Sequence, residues 1–167
     1  MKLLAGLFAI ALACVGAPAL AQGGDRVMKA LEFADLRLMA AELDFAVTDD
    51  GGNADGHYYL EIKSDSGLMF GIYGMSCSKD DPQKDCLGLN AVASFTLSAD
   101  ADVLKVMDSI DYAFMKVYRE EREIKVSRYV IFDGGITREN VKQNVLIFEQ
   151  LADKIWAKLS DDGVLTD

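Results

Sequence analysis

The clearest periodicity in the chain lies near its C-terminus. Val141, Val145, Phe148, Leu151, Ile155 and Leu159 are spaced 4, 3, 3, 4 and 4 residues apart, which places all six on one helical face. Burying six such side chains contributes on the order of 10 kcal/mol before conformational entropy is subtracted. Trp156 sits beside this stripe as a core-edge aromatic. Upstream the period changes to two. Tyr58, Leu60 and Ile62 alternate with Tyr59, Glu61 and Lys63, and Leu68, Phe70 and Ile72 continue the apolar face after a Ser-Asp-Ser-Gly turn. Leu87, Leu89, Ala91, Ala93, Phe95 and Leu97 form a third alternating run. A second hairpin joins residues 112–118 to 124–132 through a solvated charged tip, residues 119–123. Phe45 and Val47 begin a short strand, and the Gly-, Asn- and Asp-rich residues 49–56 read as a turn.

Two more helices complete the order. Asp25 caps one that runs to about Glu42, with Val27, Leu31, Ala34 and Leu38 as its stripe. Ser98 or Asp100 caps a short one containing Val103, Leu104, Val106, Met107 and Ile110. Asp133-Gly134-Gly135 ends the last strand, and Thr137 caps the final helix. The sum is an α+β domain with an antiparallel sheet of five to six strands and helices packed on one face, in the order α-β-β-β(β)-α-β-β-α.

The first 21 residues read as a secretory signal peptide. Lys2 is the positive flank, Leu3 to Val15 carries no charge, and Ala19-Leu20-Ala21 is the small-x-small pattern cleaved after Ala21. Two rival readings are weaker. As a retained membrane anchor, the 19 uncharged residues from Leu3 to Ala21 are interrupted by Gly6, Gly16 and Pro18. As a lipid anchor, Cys14 is preceded by Ala11-Leu12-Ala13, a poor match to the lipoprotein pattern. The expectation is therefore one domain over residues 22–167, periplasmic or secreted, with no stable membrane insertion after cleavage.

Charge narrows the partners. The chain has 17 Lys plus Arg against 27 Asp plus Glu, a net −10, so nucleic acid is not an expected partner. An acidic surface repels anionic lipid and suits a cationic peptide or protein. Of three Cys, Cys77 and Cys86 fall in the expected mature domain, across an entirely polar, Pro-containing stretch. In an oxidising compartment such a pair is most simply a disulfide tying the base of a hairpin. Closing a ten-residue loop contributes about 2.5 kcal/mol on the loop-entropy account. A redox pair would favour Cys-x-x-Cys, and a zinc site would need ligands beyond the single His57.

Candidate chemistry is sparse. The acidic stretch from Asp49 fails as an EF-hand, because Gly51 stands at position 3 and Ala54 at position 6. A hydrolase would have to use His57, yet no nucleophile elbow lies near it, and Ser64 and Ser66 read as turn residues. Gly51-Gly52 and Gly134-Gly135 lack the pattern and Lys of a phosphate loop. No catalytic, cofactor-binding or metal residue is assigned. A small-ligand sensor stays open as an alternative, with Tyr58, Tyr59, Tyr73, Tyr112 and Tyr118 available to line a pocket. Met69, Met75, Met107 and Met115 are adaptable contacts for a protein partner.

Residues 127–141, Ser-Arg-Tyr-Val-Ile-Phe-Asp-Gly-Gly-Ile-Thr-Arg-Glu-Asn-Val, carry a family resemblance. The run resembles the YbjN-type domain, a bacterial family described as sensory-transduction-regulator-like and related in fold to type III secretion chaperones. The matching positions are Phe132, Asp133, Gly134, Gly135 and Thr137, followed by the long apolar-spaced helix. By element order the resemblance covers residues 25–160, but only 127–156 is specific. One departure is Val106-Met107-Asp108-Ser109-Ile110-Asp111, where the family often shows Asn and Trp. The resemblance implies a chaperone-like domain that often forms homodimers, paired Cys in exported members, and no defined catalytic activity or cofactor. On this reading the protein is a non-enzymatic interaction or regulatory module whose protein partner is unidentified.

Overall fold

A computed structural model describes residues 26–52, 57–110 and 112–166. Cys14, Asp25 and the cleavage position after Ala21 lie outside the described residues, as do residues 53–56 of the turn expected after Asp49. The elements run β1 (Val27–Met28), α1 (Phe33–Glu42), β2 (Ala46–Gly52), β3 (Tyr58–Lys63), β4 (Met69–Met75), β5 (Gly88–Thr96), α2 (Val103–Ser109), β6 (Lys116–Glu120), β7 (Glu123–Ile131), β8 (Ile136–Thr137) and α3 (Arg138–Asp161).

Six strands form one fully antiparallel sheet in the order β2-β3-β4-β5-β7-β6. This is the α+β architecture expected from the alternating runs. Leu60, Ile62, Phe70 and Ile72 are buried, and so are Leu89, Ala91, Ala93 and Phe95 of the third run. Helix α3 lays Val141, Val145, Phe148, Ile155 and Leu159 on that face, with Phe148 and Phe70 ring centroids 5.6 Å apart. Thr137 caps α3 through its hydroxyl, which accepts from Asn140 N at 3.2 Å. Among the described residues no helix is long and apolar enough to cross a membrane.

The N-terminal helix departs from expectation. It begins at Phe33, capped by Glu32, and not near Asp25. Val27 and Met28 instead pair with Thr137 and Ile136 as a two-stranded sheet, and Leu31 bridges Cys86. A start seven residues later shifts the buried stripe to Leu36, Met39 and Ala40, leaving Leu38 half exposed. Long-range main-chain pairing outweighs local helix propensity in this segment. Similarly, Asp49 to Gly52 belong to β2, paired with β3 after a bulge between Val47 and Asp49. The short helix is capped by Asp102, whose carboxylate accepts from Lys105 N, so neither Ser98 nor Asp100 fills that role. On α3 the buried position is Ala152 where the spacing pointed to Leu151, and Leu87 is exposed at the mouth of β5.

Cys77 and Cys86 are joined as a disulfide. The polar loop they close holds the N-terminal segment through main-chain bonds: Leu31 and Cys86 exchange both, at 2.8 and 3.0 Å, and Phe33 N donates to Gln83 O at 2.9 Å. The sulfurs lie against Gly74 of β4, where a Cβ would stand 2.8 Å from Cys86 Sγ and 3.0 Å from Cys77 Sγ.

Candidate functional site

Strand alternation gives the sheet two faces of different character. One packs on the helices. On the other, registry lines up Tyr59 with Tyr73, Tyr73 with Asn90, and Asn90 with Tyr129 across four strands. Tyr118 extends the same face on β6 opposite Lys125. This row is half-buried to exposed, whereas the helix-side partners Leu60, Ile72, Leu89 and Val130 are buried. An aromatic band therefore crosses an otherwise solvated sheet surface.

Close neighbours hold the band in place. The Tyr59 and Tyr73 ring centroids are 6.0 Å apart, inside the range of favourable aromatic pairing. The Tyr73 ring lies over Gly71, where a Cβ would stand 2.7 Å from it, and Tyr129 lies over Gly88. Glycine at both positions lets the rings lie flat on the backbone. The Tyr59 hydroxyl donates to Asp49 Oδ2 at 2.9 Å, and that bond to the carboxylate raises the phenol above its ordinary value. Partial burial raises Tyr73 and Tyr118 as well, so these phenols stay neutral donors at physiological pH. Lys116 Nζ sits 5.2 Å from the Tyr118 ring centroid. Between β5, β6 and β7 lies a shallow concavity of about 480 Å³ whose lining includes Asn90, Met115, Tyr118 and Tyr129. Asn90 Oδ1 is buried there without a hydrogen-bond partner among the described residues.

Beside the band, Phe114 is 81% exposed and has φ +73°, a left-handed conformation that a bulky side chain rarely adopts. Arg128 stabilises that turn. Its Nη1 donates to Phe114 O at 3.1 Å, while Nε and Nη2 donate to Asn144 Oδ1 on α3 at 2.9 and 2.6 Å. Asn144 is fixed in turn by Asn140 at 2.8 Å. Desolvation lowers the Arg128 pKa.

The residues singled out in the sequence are scattered. Tyr59, Tyr73 and Tyr118 share the open face, but Tyr58 packs at a tilt against Phe33, ring centroids 4.4 Å apart, and Tyr112 packs against the core. Tyr129 belongs to the band and was absent from the sequence-based set, although its alternation with Val130 marks it as outward-facing. Met69 is exposed, while Met107 and Met115 pack against the core. His57 stands before β3, while Ser64 and Ser66 follow it, so a strand of about 20 Å separates them. Ser64 is buried and its hydroxyl bonds to Ser66, which donates to Asp153 at 2.6 Å. Asp50 pairs with Arg37 and Asp49 with Tyr59, and no metal-competent cluster occurs among the described residues. In the family motif Phe132 is fully buried, Asp133 is exposed, and Gly134 and Gly135 adopt φ of +78° and +98°.

A second concavity, about 280 Å³, is lined by Trp156, Met69, Phe95 and Leu165 at the far end of the sheet. Its size is near the lower limit for a small-molecule site. Arg138 is buried between α1 and α3, its Nη2 3.2 Å from Glu42 Oε1 but without hydrogen-bond alignment.

No family model and no curated protein matches the chain. Among solved structures, the fold is similar to that of YbjN from E. coli, whose assignment as a transcription regulator is itself only proposed. The likeness has a TM-score of 0.64 at 10% identity and covers 85% of this chain and all of the other, so what the two share is the YbjN-like fold.

Proposed function

We propose that this chain is a non-enzymatic, protein-binding module built on a YbjN-like fold, acting in the periplasm or outside the cell. The observation that carries the reading is the aromatic band of Tyr59, Tyr73, Tyr118 and Tyr129 on the sheet face opposite the helices. Tyrosines present large contact area with a polar tip, at little entropic cost, which suits a surface that binds polypeptide. The titratable candidates do not converge: His57 and the Ser64–Ser66 pair stand at opposite ends of β3, and Asp49 and Asp50 are engaged in structural bonds. The Cys77–Cys86 disulfide is compatible with an oxidising location.

The test is light scattering of a reduced, aggregating client protein with the mature chain added. Suppression near equimolar ratio, weakened by a combined Tyr73→Ala and Tyr129→Ala variant that keeps its thermal stability, is the expected result. No suppression, or a hydrolytic activity that disappears in His57→Ala, would overturn the reading.

A further inference from the structure

Three of the main-chain stretches at the sheet's margins differ in how they are protected. The β2 margin carries a bulge between Val47 and Asp49 and the paired charges Asp50 and Arg37. The β6 margin carries Lys116, Arg119 and Glu120 among its five residues. Bulges and charges are the devices that keep edge strands from pairing with other chains. The third stretch is the end of β7, which has no bulge and whose one charged residue, Arg128, lies on the helix side of the sheet.

The hydrogen-bond phase of β7 can be worked out from its flanks. Phe132 N donates to Leu87 O and Leu97 N to Arg122 O, so the even-numbered residues of β7 bond toward β5. The odd-numbered residues bond toward β6. But β6 begins at Lys116, opposite Ser127, because the Phe114 turn carries the chain away. The N–H and C=O of Tyr129 and Ile131 therefore point to a side on which, among the described residues, no main-chain partner stands. Their side chains are 47% and 61% exposed, beside Phe114 at 81%.

Charge identifies the visitor. The protein is acidic overall, yet Arg128 on the helix side of this gap and Lys116 on its open side have no carboxylate within ion-pair distance among the described residues. Arg128 spends its donors on a neutral amide and a carbonyl and lies 5.8 Å from the Phe114 ring centroid, so no anion balances its charge. We propose that residues 128–131 of β7 accept an extended segment of another polypeptide as an added strand. Its apolar side chains lie against Ile131, Tyr129 and Phe114, and an Asp or Glu on the alternate face meets Arg128, which lies on the helix side of the sheet with Asn144. Four residues of edge, about 13 Å, fit a segment of four to five residues. This inference rests on the protein-binding reading and names its site and the chemistry of its partner.

The experiment uses three synthetic eight-residue peptides with the mature protein in fluorescence-anisotropy titrations. The first alternates Thr and Val around a central Glu, the second replaces that Glu with Lys, and the third is the first with alternate amides N-methylated. Expected are binding of the first, at least tenfold weaker binding of the second, and none of the third. Ile131→Pro removes only an edge-facing N–H and so leaves the β5 ladder intact, which retained amide protection at Leu89 and Ala91 verifies. It should abolish binding of the Glu peptide, while Arg128→Gln should narrow the preference over the Lys peptide. Equal binding by Ile131→Pro, no binding of the Glu peptide, or a wild-type dimer that Ile131→Pro converts to monomer each overturns the proposal, the last by giving the edge to a second copy. Client suppression that persists in Ile131→Pro would separate failure of this edge from failure of the protein-binding reading.

Discussion

Gly74→Ala tests how the disulfide is seated. The added Cβ would stand 2.8 Å from Cys86 Sγ and 3.0 Å from Cys77 Sγ, well inside the about 3.5–4.0 Å at which nonbonded heavy atoms rest. Gly74 is buried mid-sheet, paired with Leu89, so neither the strand nor the sulfurs can retreat freely. Overpacking of this kind costs about 1–3 kcal/mol, against a gain of about 0.5–1 kcal/mol from removing a glycine's unfolded-state freedom. A net loss of about 1–2 kcal/mol is expected in the oxidised protein, about 4 °C of Tm per kcal/mol at this size. In a Cys77→Ser, Cys86→Ser background the two hydroxyls are smaller and rotate independently, so the same substitution should cost nothing or stabilise slightly. The serine pair itself should lower stability by about 2.5 kcal/mol through the lost loop constraint. Urea unfolding of all four proteins gives the coupling as a double-mutant cycle. An equal cost of Gly74→Ala in both backgrounds would refute the seating of the sulfurs against this glycine.

Two further outcomes follow from the core and the helix surface. Phe148→Ala removes a fully buried ring that packs on Phe70 and should cost about 3–5 kcal/mol in urea unfolding; a loss under 1 kcal/mol would mean that α3 is not seated on the sheet. The Glu149 carboxyl is raised by desolvation, then by the charges of Asp153 and Asp65. Its folded pKa thus exceeds the unfolded value of about 4.3, the native state holds the extra proton between the two, and stability falls as pH rises through that window. Glu149→Gln should therefore stabilise the protein at pH 7 and make no difference below pH 4, measured by thermal unfolding; a uniform effect at both pH values would contradict the assignment.

The periodic segments were legible because one side of each element is buried and its neighbours are close in sequence. Leu60, Ile62, Phe70 and Ile72, or Val141 through Leu159, report burial directly through spacing. The hairpins followed from short connections, and the Cys77–Cys86 pair from the polar loop between them. Where spacing competed with a distant partner it misled. Val27 and Leu31 fit a helical stripe, yet their main chains bond to Thr137 and Cys86, more than fifty residues away. Gly51 and Gly52 look like turn residues, but Tyr59 and Tyr58 beside them make them strand.

The amino-acid sequence alone determined the α+β class, the antiparallel meander, the amphipathic final helix and the pair of cysteines able to close the hairpin base. Each is a local pattern whose partner lies within a few residues or on one continuous face. Tertiary structure alone decided that Tyr59, Tyr73 and Tyr129 form one band, and that the Phe114 turn leaves the end of β7 open. Both depend on register between strands drawn together from as many as seventy residues apart. Shifting a strand by a single residue would send every one of those side chains to the opposite face.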